Sequence, residues 1–226
     1  MGLGLLAVAH TSSAALITLD ADRFSVSYDS DQVGLYGAGA LSGSLDTLFF
    51  QPGDFSALSG GSPASTPASL QLTFAIDPGY AFTGLSFTER GDYLILGGGA
   101  VDVTADIAVV NPDGGASAVL SLAPGSPLDQ IDDFIAWQVS GGLAPLGLGV
   151  PQTFQVTLDN TLFASASEGD LSFIQKTYVG FRILTQPAAV PEPSSVALVL
   201  AGVLAALLAG RRRVGMAAGT RSGQNG

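Results

Sequence analysis

Any chemistry in this chain has to come from carboxylates and hydroxyls. There is no cysteine, and the one histidine, His10, lies in the first ten residues. A mature chain that loses that stretch has neither imidazole nor thiol. Ser-His-Asp and Cys-His nucleophiles, structural zinc and thiol redox chemistry are thereby excluded. Residues 15–190 hold 18 acids and four bases, Arg23, Arg90, Lys176 and Arg182, a net charge of −14. A surface of that sign repels phosphate backbones, so nucleic acid is a poor partner. It tolerates divalent cations. Asp20 with Asp22, Asp29 with Asp31, and Asp129 with Asp132 and Asp133 are paired carboxylates in expected loops. Calcium takes roughly six to eight oxygens. None of the three groups has the ligand spacing of a helix–loop–helix calcium site, and Asp is a favoured turn residue in its own right. No cofactor is therefore expected, with calcium at Asp129, Asp132 and Asp133 as a weak candidate.

Three further residues invite a chemical reading. Glu89-Arg90-Gly91-Asp92 offers a carboxylate pair and an integrin-type tripeptide, Arg90-Gly91-Asp92. The tripeptide is a chance match, and the expected role is structural: Glu89 and Arg90 end a strand and Gly91 turns the chain toward Tyr93. Trp137, the sole tryptophan, sits among Phe134, Ile135 and Val139, the setting of a core residue rather than a sugar-stacking one. Lys176 is the only lysine. A Ser–Lys dyad needs that amine buried, and its polar neighbours place it at the surface instead. The one enzyme compatible with this inventory is a two-carboxylate glycosidase, with its pair ~5–10 Å apart in a cleft. No catalytic residue is assigned.

The elements that must position these groups are strands. Phe24, Val26 and Tyr28 alternate with polar residues, as do Leu70, Leu72, Phe74 and Ile76. Val101, Val103, Ala105, Ile107 and Val109 make the longest clean alternation. Phe154, Val156 and Leu158 repeat it, and so do Val179, Phe181 and Ile183. Each is a half-buried strand by its period of two. Turn residues separate them at Gln51-Pro-Gly-Asp54, Asp77-Pro-Gly79, Gly97-Gly-Gly99 and Asn111-Pro-Asp-Gly-Gly115. Residues 57–67, rich in Ser, Gly and Pro, read as a surface loop, and residues 141–151 as another. About ten short strands of this kind predict an all-β sandwich, jelly-roll-like or immunoglobulin-like. A domain of that size buries enough apolar area to need no disulfide.

Both ends read as addresses. Leu3 to Ala9 is a short apolar run, followed by Ser12-Ser13-Ala14-Ala15 with small residues at −3 and −1 of two cleavage positions. Residues 1–15 are thus expected to be a signal peptide, although no Lys or Arg precedes the apolar run, so the start codon is expected upstream. At the other end, Pro191-Glu192-Pro193 is followed by residues 194–210, 17 residues without charge, and then by Arg211, Arg212 and Arg213. As a helix, that stretch spans about 25 Å. It reaches across the hydrocarbon core if the arginines snorkel, and the arginines leave the tail cytoplasmic. Pro191 and Pro193 stop the helix from running backward.

Pro-Glu-Pro, apolar helix and basic cluster together resemble the PEP-CTERM sorting signal of Gram-negative bacteria. The resemblance covers residues 190–213. It implies an exported protein recognised at Pro191, Glu192 and Pro193 by an exosortase, a membrane protease that removes the helix. Arg211 to Arg213 would be the stop-transfer cluster. It further implies the company of exopolysaccharide or biofilm. The family usually ends within a few residues of the basic cluster, whereas this chain continues to Gly226. The middle of the chain also resembles ectodomains carried by such proteins, at Leu48–Phe55, Phe87–Tyr93 and Leu158–Ala164. That likeness implies a sandwich and no catalytic residues.

The expected organisation is a signal peptide over 1–15, a β-sandwich ectodomain over 16–187, a sorting signal with one transmembrane helix over 188–213, and a disordered cytoplasmic tail over 214–226. The expected function is that of an exported surface or matrix protein, inner-membrane-anchored as a precursor. A calcium-dependent carbohydrate-binding module is the alternative.

Overall fold

The computed structural model describes residues 15–144, 148 and 151–189. The expected signal peptide (apart from Ala15), transmembrane helix and tail therefore lie outside the described residues. Among the described residues no helix is long and apolar enough to cross a membrane.

Among the described residues, twelve antiparallel strands form two sheets. They are β1 (Leu16–Asp20), β2 (Phe24–Asp29), β3 (Gly39–Leu41), β4 (Thr47–Phe50), β5 (Ser56–Ser59) and β6 (Ala64–Ile76). They continue as β7 (Tyr80–Leu96), β8 (Gly99–Val110), β9 (Ser117–Leu122), β10 (Phe134–Leu143), β11 (Thr153–Ala166) and β12 (Leu171–Pro187). The first sheet runs β1-β2-β6-β11-β8-β9, and the second β10-β7-β12-β4-β3. Strand β5 pairs with β12 beyond the end of β4, so β4 and β5 share one lane. A single 3-10 turn, Gly34–Tyr36, leads into the β3–β4 hairpin and buries Tyr36.

The alternation in the sequence fixes which face of each strand is inside. Val103, Ala105, Ile107 and Val109 of β8 are buried, while Asp102, Thr104 and Asp106 are exposed. A one-residue slip would exchange those two sets, and each fully buried aliphatic or aromatic side chain is worth roughly 1.5–3 kcal/mol. The two inner faces meet in one core. Phe154 of β11 stacks on Phe74 of β6 at 5.2 Å and meets Phe82 of β7, in the opposite sheet, at 4.4 Å. Tyr28 and Phe50 join the sheets again at 5.8 Å.

The chain changes sheets at two of the turns the composition marked. Residues 77–79 carry β6 into β7, and Gly97 and Gly98 carry β7 into β8. Gly97 has φ +75°, a conformation open to glycine, and Asp170 closes over it. Two expected loops are corrected. Residues 57–67 belong largely to β5 and β6, because β11 pairs β6 down to Ala64 and supplies its backbone partners. Pro67 is accommodated there because β2 pairs β6 only from Thr73 to Ile76, which leaves Pro67 on a one-sided edge. Residues 141–143 complete β10 rather than begin a loop. The strands are also longer than expected, reaching 17 residues in β7 and in β12.

Candidate functional site

Among the described residues, Glu89, Asn160 and Lys176 form a polar cluster in the sandwich core, where the two long strands of the second sheet face β11. On β7, Phe87, Glu89, Gly91, Tyr93 and Ile95 have the same parity, so Glu89 points inward. On β11 the inward set is Val156, Leu158, Asn160, Leu162 and Ala164. On β12 the parity breaks. Val179, Phe181 and Ile183 are buried, and so are Ile174 and Lys176, because a bulge at Thr177 puts one extra residue between Lys176 and Tyr178. Glu89, Asn160 and Lys176 are each at most 2% exposed.

The three side chains are mutually bonded. Lys176 Nζ donates to Glu89 Oε1 at 2.6 Å and to Asn160 Oδ1. Asn160 Nδ2 donates to the same Glu89 Oε1 at 2.5 Å. Glu89 Oε2 is buried without a partner. The walls are aromatic: Lys176 Nζ lies 4.9 Å from the Phe55 ring centre and 6.0 Å from that of Trp137. Tyr36 packs edge-on against Phe55 at 5.5 Å, and its hydroxyl donates to the Ala68 carbonyl at 3.3 Å. Trp137 is held in place by its indole N–H, which donates to the Gln175 carbonyl at 3.2 Å.

Burial sets the protonation of the pair. Desolvation lowers the Lys176 ammonium to about 8, against the opposing pull of Glu89. Desolvation likewise raises the Glu89 carboxyl above its ordinary value, against Lys176 and Asn160. Both shifts favour the neutral amine and the neutral acid. Tyr36 is also driven upward by burial.

The sequence reading of these residues is corrected on two points. Lys176 is not at the surface, because the Thr177 bulge reverses the facing that strict alternation back from Val179 would give. Glu89 and Arg90 do not end a strand, and Gly91 makes no turn: all three lie in mid-β7, paired with both β12 and β10. Trp137 is in the core, as expected, at 4% exposure. Glu89 was singled out only beside Arg90 and Asp92, and Asn160 was missed, although each shares the parity of a buried apolar series and period-two counting would have placed both inside.

The remaining carboxylates do not assemble. Among the described residues no group of three or more acids or histidines is placed to hold a metal. Asp132 stands at φ +63° and donates its backbone N–H to the Ile95 carbonyl, while Asp133 Oδ1 accepts from the Phe134 N–H. Both do turn work beside Asp129. An open cavity of about 480 Å³ contains two carboxylates, Asp22 and Asp46. Asp22 pairs with Arg23 at 3.1 Å, and Asp46 with Arg182 at 2.9 Å. Hydrogen bonds from Ser44 first, then Thr47 and Arg182, hold the Asp46 carboxyl down at about 2. A glycosidic general acid needs the opposite shift.

The outer face of the second sheet carries aromatic side chains in two pairs. Phe49 and Tyr178 stack at 6.0 Å, with the Arg90 guanidinium 5.2 Å from the Tyr178 ring. Phe134, 61% exposed, meets Phe173 edge-on at 6.4 Å.

Pro191, Glu192, Pro193 and Arg211 to Arg213 lie outside the described residues. No curated protein matches the chain in sequence. Several solved structures are similar to it at low scores. TmCBM61, solved in complex with beta-1,4-galactotriose, is 12% identical, with 76% of this chain and 89% of that one covered and a TM-score of 0.24. A structure of the infectious bursal disease virus Gx strain is 10% identical, covering 75% and 50%, with a TM-score of 0.28. Eiger TNF from S. frugiperda is 12% identical, covering 78% and 88%, with a TM-score of 0.22. The profile of the PEP-CTERM protein-sorting motif matches residues 189–213. With that match, this chain carries a PEP-CTERM sorting motif directly after its β-sandwich.

Proposed function

We propose that this chain is an exported surface or matrix protein whose C-terminal segment is a temporary membrane anchor. The observation that carries the reading is the sorting-motif match at residues 189–213. Residues 1–15 direct export and are removed. The sandwich, 16–187, folds outside the inner membrane while residues 194–210 span it, with Arg211 to Arg213 and the 214–226 tail in the cytoplasm. An exosortase-type protease recognises Pro191, Glu192 and Pro193 and releases the sandwich to the surface. Exopolysaccharide is its expected surroundings. Of the two sandwich types expected, the jelly roll is the one the strand order supports. From the β4/β5 lane onward, the order β4-β12-β7-β10 against β6-β11-β8-β9 is that of two Greek keys.

The test is the mass and location of the protein in cells with and without their exosortase. A chain ending near Pro193 and lying outside the inner membrane only when the protease is present is the expected result. A full-length chain in the inner membrane of both strains would reduce the motif to a plain anchor.

A second reading, a carbohydrate-binding surface, is favoured by one observation: the Phe49–Tyr178 and Phe134–Phe173 pairs on the outer face of the second sheet. Aromatic faces stack on sugar rings, and Arg90, Asp92 and Gln138 supply hydrogen-bonding groups between them.

A further inference from the structure

We propose that Lys176 and Asn160 become joined by an intramolecular amide bond, formed in the folded core with the Glu89 carboxyl carrying the proton. The reactants are an amine and a carboxamide already in contact. Lys176 Nζ touches Asn160 Oδ1, one bond away from the Cγ it would attack. Glu89 Oε1 touches both nitrogens involved, the attacking Nζ at 2.6 Å and the departing Nδ2 at 2.5 Å.

The step balances without any co-reactant. The neutral Lys176 amine adds to Asn160 Cγ, and a new C–N bond forms. Glu89 accepts a proton from Nζ and delivers one to Nδ2. The Cγ–Nδ2 bond breaks, ammonia leaves, and the amide carbonyl is restored. One carboxamide and one amine become one secondary amide and one ammonia, and nothing is oxidised or reduced. Glu89 ends as it began.

Three features of the core favour this reaction over a permanent ion pair. The groups come from three strands, β7, β11 and β12, so folding itself brings them together and supplies the high effective concentration of an intramolecular reaction. Glu89 Oε2 is buried without a donor, an arrangement that suits a neutral carboxyl and leaves an ionised one poorly satisfied. Phe55 and Trp137 cover the amine and keep water from it, so the attack on Asn160 meets no competing solvent, while their ring faces hold the nitrogen in place whether it is charged or neutral. Burial moves both groups in the direction the reaction uses, the amine down to about 8 and the carboxyl up, so a reactive share of neutral amine is available near neutral pH. The product replaces a buried titratable amine by an amide that carries no charge at any pH. It also ties the two sheets covalently, β11 in the first to β12 in the second. Strand β12 is the one that runs out toward residue 188, so a pull on the C-terminal segment would peel β12 only as far as Lys176 before meeting a covalent bond.

The experiment uses the full chain in detergent, denatured after purification and digested with trypsin. Trypsin cuts after Arg90, Lys176 and Arg182 in this region. The expected product is one peptide, 91–182, uncut at Lys176 and lighter than its sequence by one ammonia. Fragmentation should show a branch between residues 160 and 176. Separate 91–176 and 177–182 peptides of unmodified mass would overturn the proposal and leave a structural ion pair. Loss of ammonia with Lys176 still cleavable would mean a succinimide at Asn160, and would overturn it too. Glu89→Gln should slow linkage by about 100-fold or more in protein that still melts cooperatively. Linkage in Glu89→Gln at the wild-type rate would remove Glu89 from the reaction. The wild-type peptide decides the bond itself, however well the variant folds.

Discussion

At position 91 an alanine Cβ would lie well inside van der Waals contact of the Gln175 carbonyl oxygen and 2.7 Å from the Trp137 ring. Neither neighbour is free to move. The carbonyl belongs to β12 in its pairing with β7, and it also accepts the indole N–H of Trp137. Gly91 is thus the space into which Trp137 folds over the Lys176 cluster. Gly91→Ala should destabilise the domain by about 3 kcal/mol, the upper range for overpacking a filled core. Urea unfolding with tryptophan fluorescence would check it, and a change under 1 kcal/mol would show that β10 can shift to make room. The same local view explains Asp46. Its bonds to Ser44, Thr47 and Arg182 tie the β3–β4 turn to β12, a rim contact too solvated to be worth much on its own.

At the scale of the element, the bulge in β12 is the feature on which the site depends. It lets Ile174 and Lys176 face the core on one side of Thr177 while Val179, Phe181 and Ile183 face it on the other. Deleting Thr177 closes the bulge and forces one half of β12 to turn over. If the longer C-terminal half holds its register, Lys176 and Ile174 swing to the solvent while Gln175 and Phe173 enter the core. The expected outcome is a fall in melting temperature of 10 °C or more, on the scale of roughly 2–4 °C per kcal/mol for a domain of this size, together with complete tryptic cleavage at Lys176. Near-wild-type melting in the deletion would show that β12 can slide and rebuild the bulge elsewhere. The β4/β5 lane has a complementary break. Residues 51–55 bow away from the bulged part of β12, and the Phe55 carbonyl returns to accept the Lys176 backbone N–H at 2.9 Å. That return also carries the Phe55 ring to the lysine.

At the scale of the whole molecule, the outer face of the second sheet carries aromatic pairs, while that of the first mixes carboxylates with single exposed apolar residues such as Phe163 and Val119. In the first sheet the outward residues of β8 include Asp102, Thr104 and Asp106. In the second, Phe49 of β4, Tyr178 and Phe173 of β12 and Phe134 of β10 are spread along the outer surface, with β7 between the last two strands. If that face meets polysaccharide, Tyr178→Ala with Phe134→Ala should weaken retention on the cell's own exopolysaccharide by about tenfold or more, at one to a few kcal/mol for two exposed stacking rings. The melting temperature should change little, since neither ring is in the core. Affinity electrophoresis of wild type and variant would measure it, and equal retardation would end the carbohydrate reading of this face. The net charge of −14 over residues 15–190 acts at the same scale, keeping copies of the domain apart and favouring basic or neutral partners over anionic polymers.

The sequence by itself determined the strands, because a half-buried strand must alternate and every alternating run named from it is a strand with the expected face inward. It determined the turns at 77–79, 97–98 and 111–115, because positive φ and preset proline geometry are chemical properties of the residues that stand there. It also determined the sorting motif, whose three parts are contiguous and need no fold to be recognised. What the sequence left open were relations between residues far apart in the chain. The surface assignment of Lys176 failed because a bulge is a property of the β12–β7 pair, invisible in β12 alone. Glu89 and Asn160 carried a visible sign, polar residues in the inward phase of buried series, but their meaning lay in being 71 positions apart in sequence and 2.5 Å apart in space. Residues 57–67 looked like loop by composition, yet 57–59 and 64–67 are strand because β12 and β11 offered hydrogen-bond partners that composition does not record. Only the packing of one sheet on the other put an amine, an amide and a carboxyl together, and excluded the water that would otherwise have solvated them apart.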